Sequence, residues 1–180
     1  MTRNTERTRQ VIFEATVRAV VRDGSGVAIG TIARDAGVSK SGLLHHFPTR
    51  EALFEAVTSD VLDGFRRDVL AHLDLAENRP GKLLRAYVRA VCDDLEREED
   101  QPGWEALALL RSEPGVAALV SRDAVRWETD LAADGLDPDR VVLVQLATDG
   151  LAAMPLQSEE IARRYLARMR PMLLSLAEPL

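Results

Sequence analysis

The stretch Ile32-Ala33-Arg34-Asp35-Ala36-Gly37-Val38-Ser39-Lys40-Ser41-Gly42-Leu43-Leu44-His45-His46-Phe47 admits few folds. Its pattern predicts two short helices, about 29–36 and 40–47, joined by a tight turn. Ala33 is small enough for the helices to approach closely. Gly37 supplies the positive φ that such a turn needs. Val38 plugs the angle between the helices, and Ser39 is a good N-cap for the second. That second helix turns Leu43 and Phe47 inward and Lys40, Ser41, Gly42, Leu44 and His46 outward. Small and polar side chains at an exposed helix start suit close approach to a DNA groove. The expected motif is a helix-turn-helix with the second helix as reader.

The rest of the chain also reads as helices. No period-2 alternation between turn signals is long enough to argue for a strand. Val11, Ile12, Ala15, Ala19 and Val20 share one face of a helix over about 5–22, which Asp23-Gly24-Ser25-Gly26 stops. After Pro48-Thr49, Phe54, Val57, Val61, Phe65 and Val69 mark a long helix over about 50–72, roughly 34 Å at 1.5 Å per residue. It is too long for a small head and is expected to link head to body. Further helices are expected up to about Arg97, over 104–111, from Pro114 to a stop near Gly135, over 138–153, and after the cap Ser158. The third-last carries Val116, Leu119, Val120, Ala124, Trp127 and Leu131. The last carries Ile161, Tyr165, Leu166, Met169, Leu173 and Leu176. The fold class is therefore all-α with about nine helices: a helix-turn-helix domain over 1–48 and a larger helical domain over 49–180.

Charge divides the chain in the same place. Residues 1–50 hold eight basic and four acidic side chains, leaving 15 and 25 for the remainder of a chain whose totals are 23 and 29. A basic head on an acidic body suits a nucleic-acid reader, although surfaces rich in both signs also fluctuate by chance. With 46% hydrophobic residues the chain can bury a core, so wholesale disorder is excluded. A single cysteine, Cys92, excludes a disulfide framework and any multi-cysteine metal site. No apolar run approaches the roughly 18–20 residues of a membrane span. The polar N-terminus leads into no signal-peptide core. A cytoplasmic protein without membrane contact is expected.

Over about residues 8–60 the chain resembles the TetR family of bacterial transcriptional repressors. The resemblance rests on Ile32-Ala33, Ala36-Gly37-Val38-Ser39, Leu43, His46-Phe47, the break at Pro48, and the opening Arg50-Glu51-Ala52-Leu53. It implies that Ser39, Lys40, Ser41 and Gly42 meet base edges or phosphates, and that His46, with its neighbour His45, and Arg50 lie toward phosphates. Two positions depart from the family pattern. Leu44 stands where the family usually has Tyr, and could touch a thymine methyl or simply pack. Ala28 stands where a Ser or Thr usually caps the first short helix, and Thr31 is the candidate phosphate contact in its place. The resemblance also implies a homodimer on a palindromic DNA operator, released or retained through a small-molecule effector in the body.

For that effector the candidates are Phe65, Tyr87, Trp104, Trp127 and Met154; ordinary core packing is the alternative for each. The helix over 138–153 is apolar nearly all round, so it is expected to be buried on several sides. With the last helix it could form half of a four-helix bundle between subunits. The alternative is a protein-interaction module that uses this helix without specific DNA binding. No cofactor and no metal are expected. His45 and His46 diverge by about 100° on a helix and cannot readily share an ion. Gly24, Gly26 and Gly30 follow a helix rather than a strand and read as a turn. Asp68 and His72 at i, i+4 read as a solvated or mildly paired couple, and Cys92 as a buried thiol. Glu96, Glu98, Glu99 and Asp100 read as a wet helix end. No nucleophile–base, metal-ligand or phosphate-loop pattern supports an enzyme.

Overall fold

Positive-φ glycines at 24, 37 and 135 and prolines at 102, 114 and 138 stand at helix boundaries. A computed structural model describes residues 3–97 and 102–179. The acidic break at Glu98, Glu99 and Asp100 lies outside the described residues. The helices are α1 (Arg3–Asp23), α2 (Ile29–Asp35), α3 (Lys40–His46), α4 (Arg50–Ala71), α5 (Lys82–Glu96), α6 (Pro102–Leu110), α7 (Pro114–Ala132), α8 (Pro138–Ala153) and α9 (Glu159–Leu176). A single 3-10 turn, Met154–Leu156, separates the last two. Asp137 and Ser158 cap α8 and α9 with their own side chains, accepting from Arg140 N and Ile161 N. Among the described residues there is no strand, and no helix is long and apolar enough to cross a membrane.

The chain forms two compact units, each discontinuous in sequence. One comprises residues 1–63 and 101–123, the other 64–100 and 124–180. Helices α4 and α7 contribute residues to both.

In the first unit, Ile12, Ala15, Ala19 and Val20 of α1 are buried, while Val11 is 37% exposed and marks the edge of the predicted face. They pack with Ile32, Leu43, Phe47, Leu53, Phe54 and Val57, and with Ala106, Leu107 and Leu110 of α6. The buried Thr16 hydroxyl donates to the Ile12 carbonyl at 2.7 Å and so is satisfied within its own helix.

In the second unit α5 is the enclosed element, with Leu84, Ala86, Tyr87, Val88, Ala90, Val91 and Cys92 buried against α8 and α9. Its N-terminus has no cap of its own, because Gly81 occupies the N-cap at φ 84°. Asp134 takes over: its Oδ2 accepts from Leu83 N at 2.8 Å and Leu84 N at 3.0 Å. Beside it the fully buried Arg85 donates to Glu77 Oε1 at 2.6 Å, to the Pro80 carbonyl at 3.0 Å and to the Ala177 carbonyl. One guanidinium thereby ties the loop before α5 to the chain leaving α9.

Two expectations compare differently with the structure. Within the single chain, helix α8 is buried along one side only. Val141, Val144, Thr148 and Leu151 face the unit's core, whereas Val142, Leu143 and Leu146 are 51%, 58% and 65% exposed. Its apolar residues simply exceed what one packing face can cover. On α9, likewise, Leu166 and Leu173 are buried while Tyr165 and Leu176 are exposed. The second concerns His72, whose partner is not the Asp68 carboxylate. Its Nδ1 lies 2.7 Å from the Asp68 backbone oxygen, and its Nε2 lies 2.9 Å from Asp93 Oδ2. Arg170 also binds Asp93, at 2.6 Å, and Glu96, at 2.9 Å. Burial alone would raise the Asp93 carboxyl, but the His72 and Arg170 hydrogen bonds hold it below its ordinary value.

Candidate DNA-reading head and effector cluster

The candidate reading head is built from α2, the turn and α3. Ala28 adopts an extended conformation but offers no side-chain cap, so the start of α2 lacks the hydroxyl that would otherwise close it. Gly37 turns the chain at φ 68°, and Val38 N donates to the Ala33 carbonyl at 3.0 Å. Ile32, Ala33, Leu43 and Phe47 are buried, and Val38 packs partly against them. Ser39 Oγ accepts from Gly42 N at 3.0 Å and sits 3.1 Å from Ser41 Oγ. The turn and the cap thus fix the start of α3, while Lys40, Ser41 and His45 are exposed. Gly42, Leu44, His46 and Thr31 are half-buried. Gly42 has its own local reason, since a Cβ there would meet Ser39 Oγ at 3.1 Å.

Electrostatics inside the head are less open than its composition suggests. Arg22 binds Asp23 at 2.7 Å and Asp35 at 2.9 Å, and those hydrogen bonds hold both carboxyls below their ordinary value. Arg9 lies over the Phe47 ring at 4.6 Å and the Phe13 ring at 5.5 Å. Arg50 is placed differently from the other candidates. Its Nη2 donates to the Ser25 carbonyl and binds Glu113 at 2.9 Å, and its guanidinium covers Phe54 at 4.8 Å. Arg50 therefore joins the α1–α2 loop, α4 and the α6–α7 corner within this unit. Sequence reading had no signal for Glu113 as its partner.

Of the effector candidates, the second unit brings three together. Phe65, Tyr87 and Trp127 meet edge to face, with centroids 5.3, 5.7 and 5.0 Å apart. Trp104 belongs to the other unit, on α6, and is 37% exposed. Met154 is half-buried in the 3-10 turn and is not part of the ring cluster. Two residues that sequence reading did not single out join the rings. Arg66 lies over the Trp127 ring at 4.1 Å, and Asp149 accepts from the Tyr87 hydroxyl at 2.6 Å. Cys92 is fully buried, and burial pushes its thiol up to about 11, so it is not a nucleophile at neutral pH.

Burial also raises the Asp149 carboxyl, and the Tyr87 hydrogen bond only partly offsets this. A carboxyl raised on folding contributes stability below its unfolded pKa and loses it as pH climbs through the folded pKa. Asp149→Asn is therefore expected to melt above the wild type at pH 7. The gap should close as pH falls below about 4, where the wild-type carboxyl is also neutral. Melting curves at several pH values check this; a variant less stable than wild type at pH 7 contradicts it.

Comparison with known proteins agrees with this geometry. Residues 12–57 match the profile of bacterial regulatory proteins of the tetR family, and residues 81–178 match that of the tetracyclin repressor-like C-terminal domain. The HTH-type transcriptional regulator BetI of Pectobacterium atrosepticum is 36% identical over 88 residues, 48% of this chain and 45% of that regulator. The chain thus spans about half the length of the curated relatives it matches. A TetR-family transcriptional regulator from Rhodococcus sp. superposes with a TM-score of 0.71 at 20% identity, over 93% of this chain and 99% of that one. The multidrug binding protein EbrR, solved with malachite green, gives a TM-score of 0.71 at 26% identity, over 89% and 96% of the two chains. With a capped helix-turn-helix in one unit and a family profile covering more than half of the chain, this protein belongs to the TetR family of bacterial transcriptional regulators.

Proposed function

We propose that this regulator is a ligand-responsive repressor that binds a palindromic operator as a homodimer in the cytoplasm. Residues 1–48 act as its DNA-binding domain, and residues 49–180 carry effector binding and dimerisation. The observation that carries the reading is the start of α3. Ser39 and Gly37 hold it rigidly, and it presents Lys40 and Ser41 to solvent from a packed helix pair. Such a helix enters the major groove N-terminus first. The exposed apolar faces of α8 and α9 support the dimer, whose two readers would lie about 34–36 Å apart. The likeness to EbrR supports a small-molecule effector, and the ring cluster of the second unit is its candidate seat. Helices α4 and α7 each carry residues of both units, which suits them to transmit a 1–3 kcal/mol coupling, about 5–150-fold in operator affinity.

The test is operator selection from random duplexes, followed by salt titration of wild type and Lys40→Ala. A palindromic consensus is expected, with a steep fall of affinity with salt. The log–log slope should be shallower by about 0.9 in Lys40→Ala, because one phosphate fewer is neutralised. Absence of any enriched sequence at low salt, with and without cell extract as a source of corepressor, would overturn the reading.

A further inference from the structure

Two side chains of the ring cluster hold hydrogen-bond donors that the protein does not use. The Arg66 side chain is 12% exposed, and its Nη1 binds Asp130 Oδ2 at 2.6 Å. Its Nε and Nη2 are buried without a partner. Trp127 is 3% exposed, and its Nε1 is buried without a partner as well. The guanidinium lies 4.1 Å above the Trp127 ring, so these donors belong to two side chains in contact. Buried donors are nearly always satisfied, because desolvating them without an acceptor is costly.

The pattern of use on Arg66 is informative. Asp130 takes the nitrogen at one end of the guanidinium. The edge left over, Nε–H beside Nη2–H, is a pair of parallel donors. That fork matches the two oxygens of a carboxylate. Beside the Asp130 carboxylate on Nη1, the guanidinium covers the Trp127 ring, which in turn meets Tyr87, at 6% exposure and bonded to Asp149, and the half-buried Phe65. Tyr87 offers no further donor to an anion, since its hydroxyl is committed to Asp149. A dianionic phosphate would lose far more hydration here than a monocarboxylate.

We infer that this cluster binds an apolar monocarboxylic acid. The carboxylate occupies the Arg66 fork with Trp127 Nε1–H as a further donor, and the hydrocarbon body lies on the Phe65, Tyr87 and Trp127 rings. Phe65, the least buried of the three rings, is the one that yields to admit it. The inference rests on the reading of this unit as the effector-binding part, and it names the ligand class. Unmet donors attract acceptors and disfavour a cation.

The experiment is calorimetric titration of the full-length protein with benzoate, 3-phenylpropionate and octanoate, and with 3-phenylpropylamine as the cationic counterpart. At least one acid is expected to bind, and the amine is not. Arg66→Met should weaken that acid about 30-fold or more, the range of hydrogen bonds to a charged group. Arg66→Lys keeps the charge without the fork and should weaken it about tenfold. Trp127→Phe keeps a ring and removes one donor, for a several-fold loss. If Arg66→Met proves unfolded by circular dichroism, the Arg66→Lys and Trp127→Phe results decide. The inference is overturned if no acid binds at about 1 mM, if the amine binds more tightly than its acid, or if Arg66→Lys and Trp127→Phe bind the acid as the wild type does. Operator affinity is measured alongside. An acid that binds through Arg66 without changing it leaves the site standing and removes its effector role. Failure of the wild type to bind DNA at all removes the repressor reading alone.

Discussion

Replacing Arg85 by methionine is expected to cost about 3–5 kcal/mol, the usual penalty for removing one member of a buried ion pair. Arg85 has no exposed surface, and its partner Glu77 has a side chain only 7% exposed. Methionine fills much of the space but leaves the Glu77 carboxylate in place with Arg79, at 2.9 Å, as its remaining cation. The carbonyls of Pro80 and Ala177 lose their donor at the same time. Urea unfolding and thermal melting measure the loss, which corresponds to a drop of about 6–20 °C. The pH dependence gives a sharper check. Burial would raise the Glu77 carboxyl, but its hydrogen bond to Arg85 and the charges of Arg85 and Arg79 hold it below its ordinary value. A carboxyl depressed on folding contributes stability above its unfolded pKa and loses it as pH falls through the folded pKa. The wild type therefore gives up part of this advantage on acidification. The variant, whose Glu77 can neutralise, gives up less, so the two melting curves should converge toward pH 4. A loss below about 1 kcal/mol at pH 7 would mean that Arg79 alone satisfies Glu77.

Gly81→Ala is expected to be nearly as damaging, at about 2–5 kcal/mol. Its φ of 84° is left-handed, which costs an L-residue roughly 1–2 kcal/mol. A Cβ there would also run into the Ala177 carbonyl oxygen, Leu136 Cδ1 at 2.5 Å and Arg85 Nη1 at 2.7 Å, and overpacking of this kind adds about 1–3 kcal/mol. The obstacle includes backbone as well as flexible side chain, so relaxation must move the exit of α9 or displace Arg85. Chemical denaturation of the variant measures this. Because Gly81 and Arg85 share the same neighbours, the double variant should lose less than the sum of the two single losses.

The sequence was most informative where structure is local. Ser39, Asp137 and Ser158 announce helix starts because a cap reaches only three residues along the chain. Gly24, Gly37 and Gly135 announce stops, and Pro114 and Pro138 announce starts, because their backbone constraints are their own. The helix-turn-helix was legible for the same reason: α2, the turn and α3 are one continuous segment. Long-range pairing left no such mark. Nothing periodic connects Arg50 with Glu113, Arg66 with Asp130 or Arg85 with Glu77, so the sequence suggests Arg50 only as a phosphate contact and singles out neither Arg66 nor Arg85. His72 was matched to its helical neighbour Asp68, although its carboxylate partner is Asp93 on another helix. The aromatic candidates were chosen by size. Tyr87, Phe65 and Trp127 converge, but size alone could not assign Trp104 to the other unit. On α8, composition showed an excess of apolar residues but not which of them the chain's own core would use.

The discontinuity of the first unit sets an order on the making of the protein. Ala106, Leu107, Leu110 and Val116 close the core that Ile12, Leu43 and Phe54 begin, and all of α5 is synthesised between the two groups. A nascent chain that has emerged only as far as Asp63 lacks the side chains that complete its reading head. The ribosome must deliver all of α5 before that core can close. An isolated N-terminal fragment would carry the candidate recognition residues on an unfinished scaffold. Grafting this specificity onto another protein therefore requires moving α6 and the start of α7 together with the helix-turn-helix.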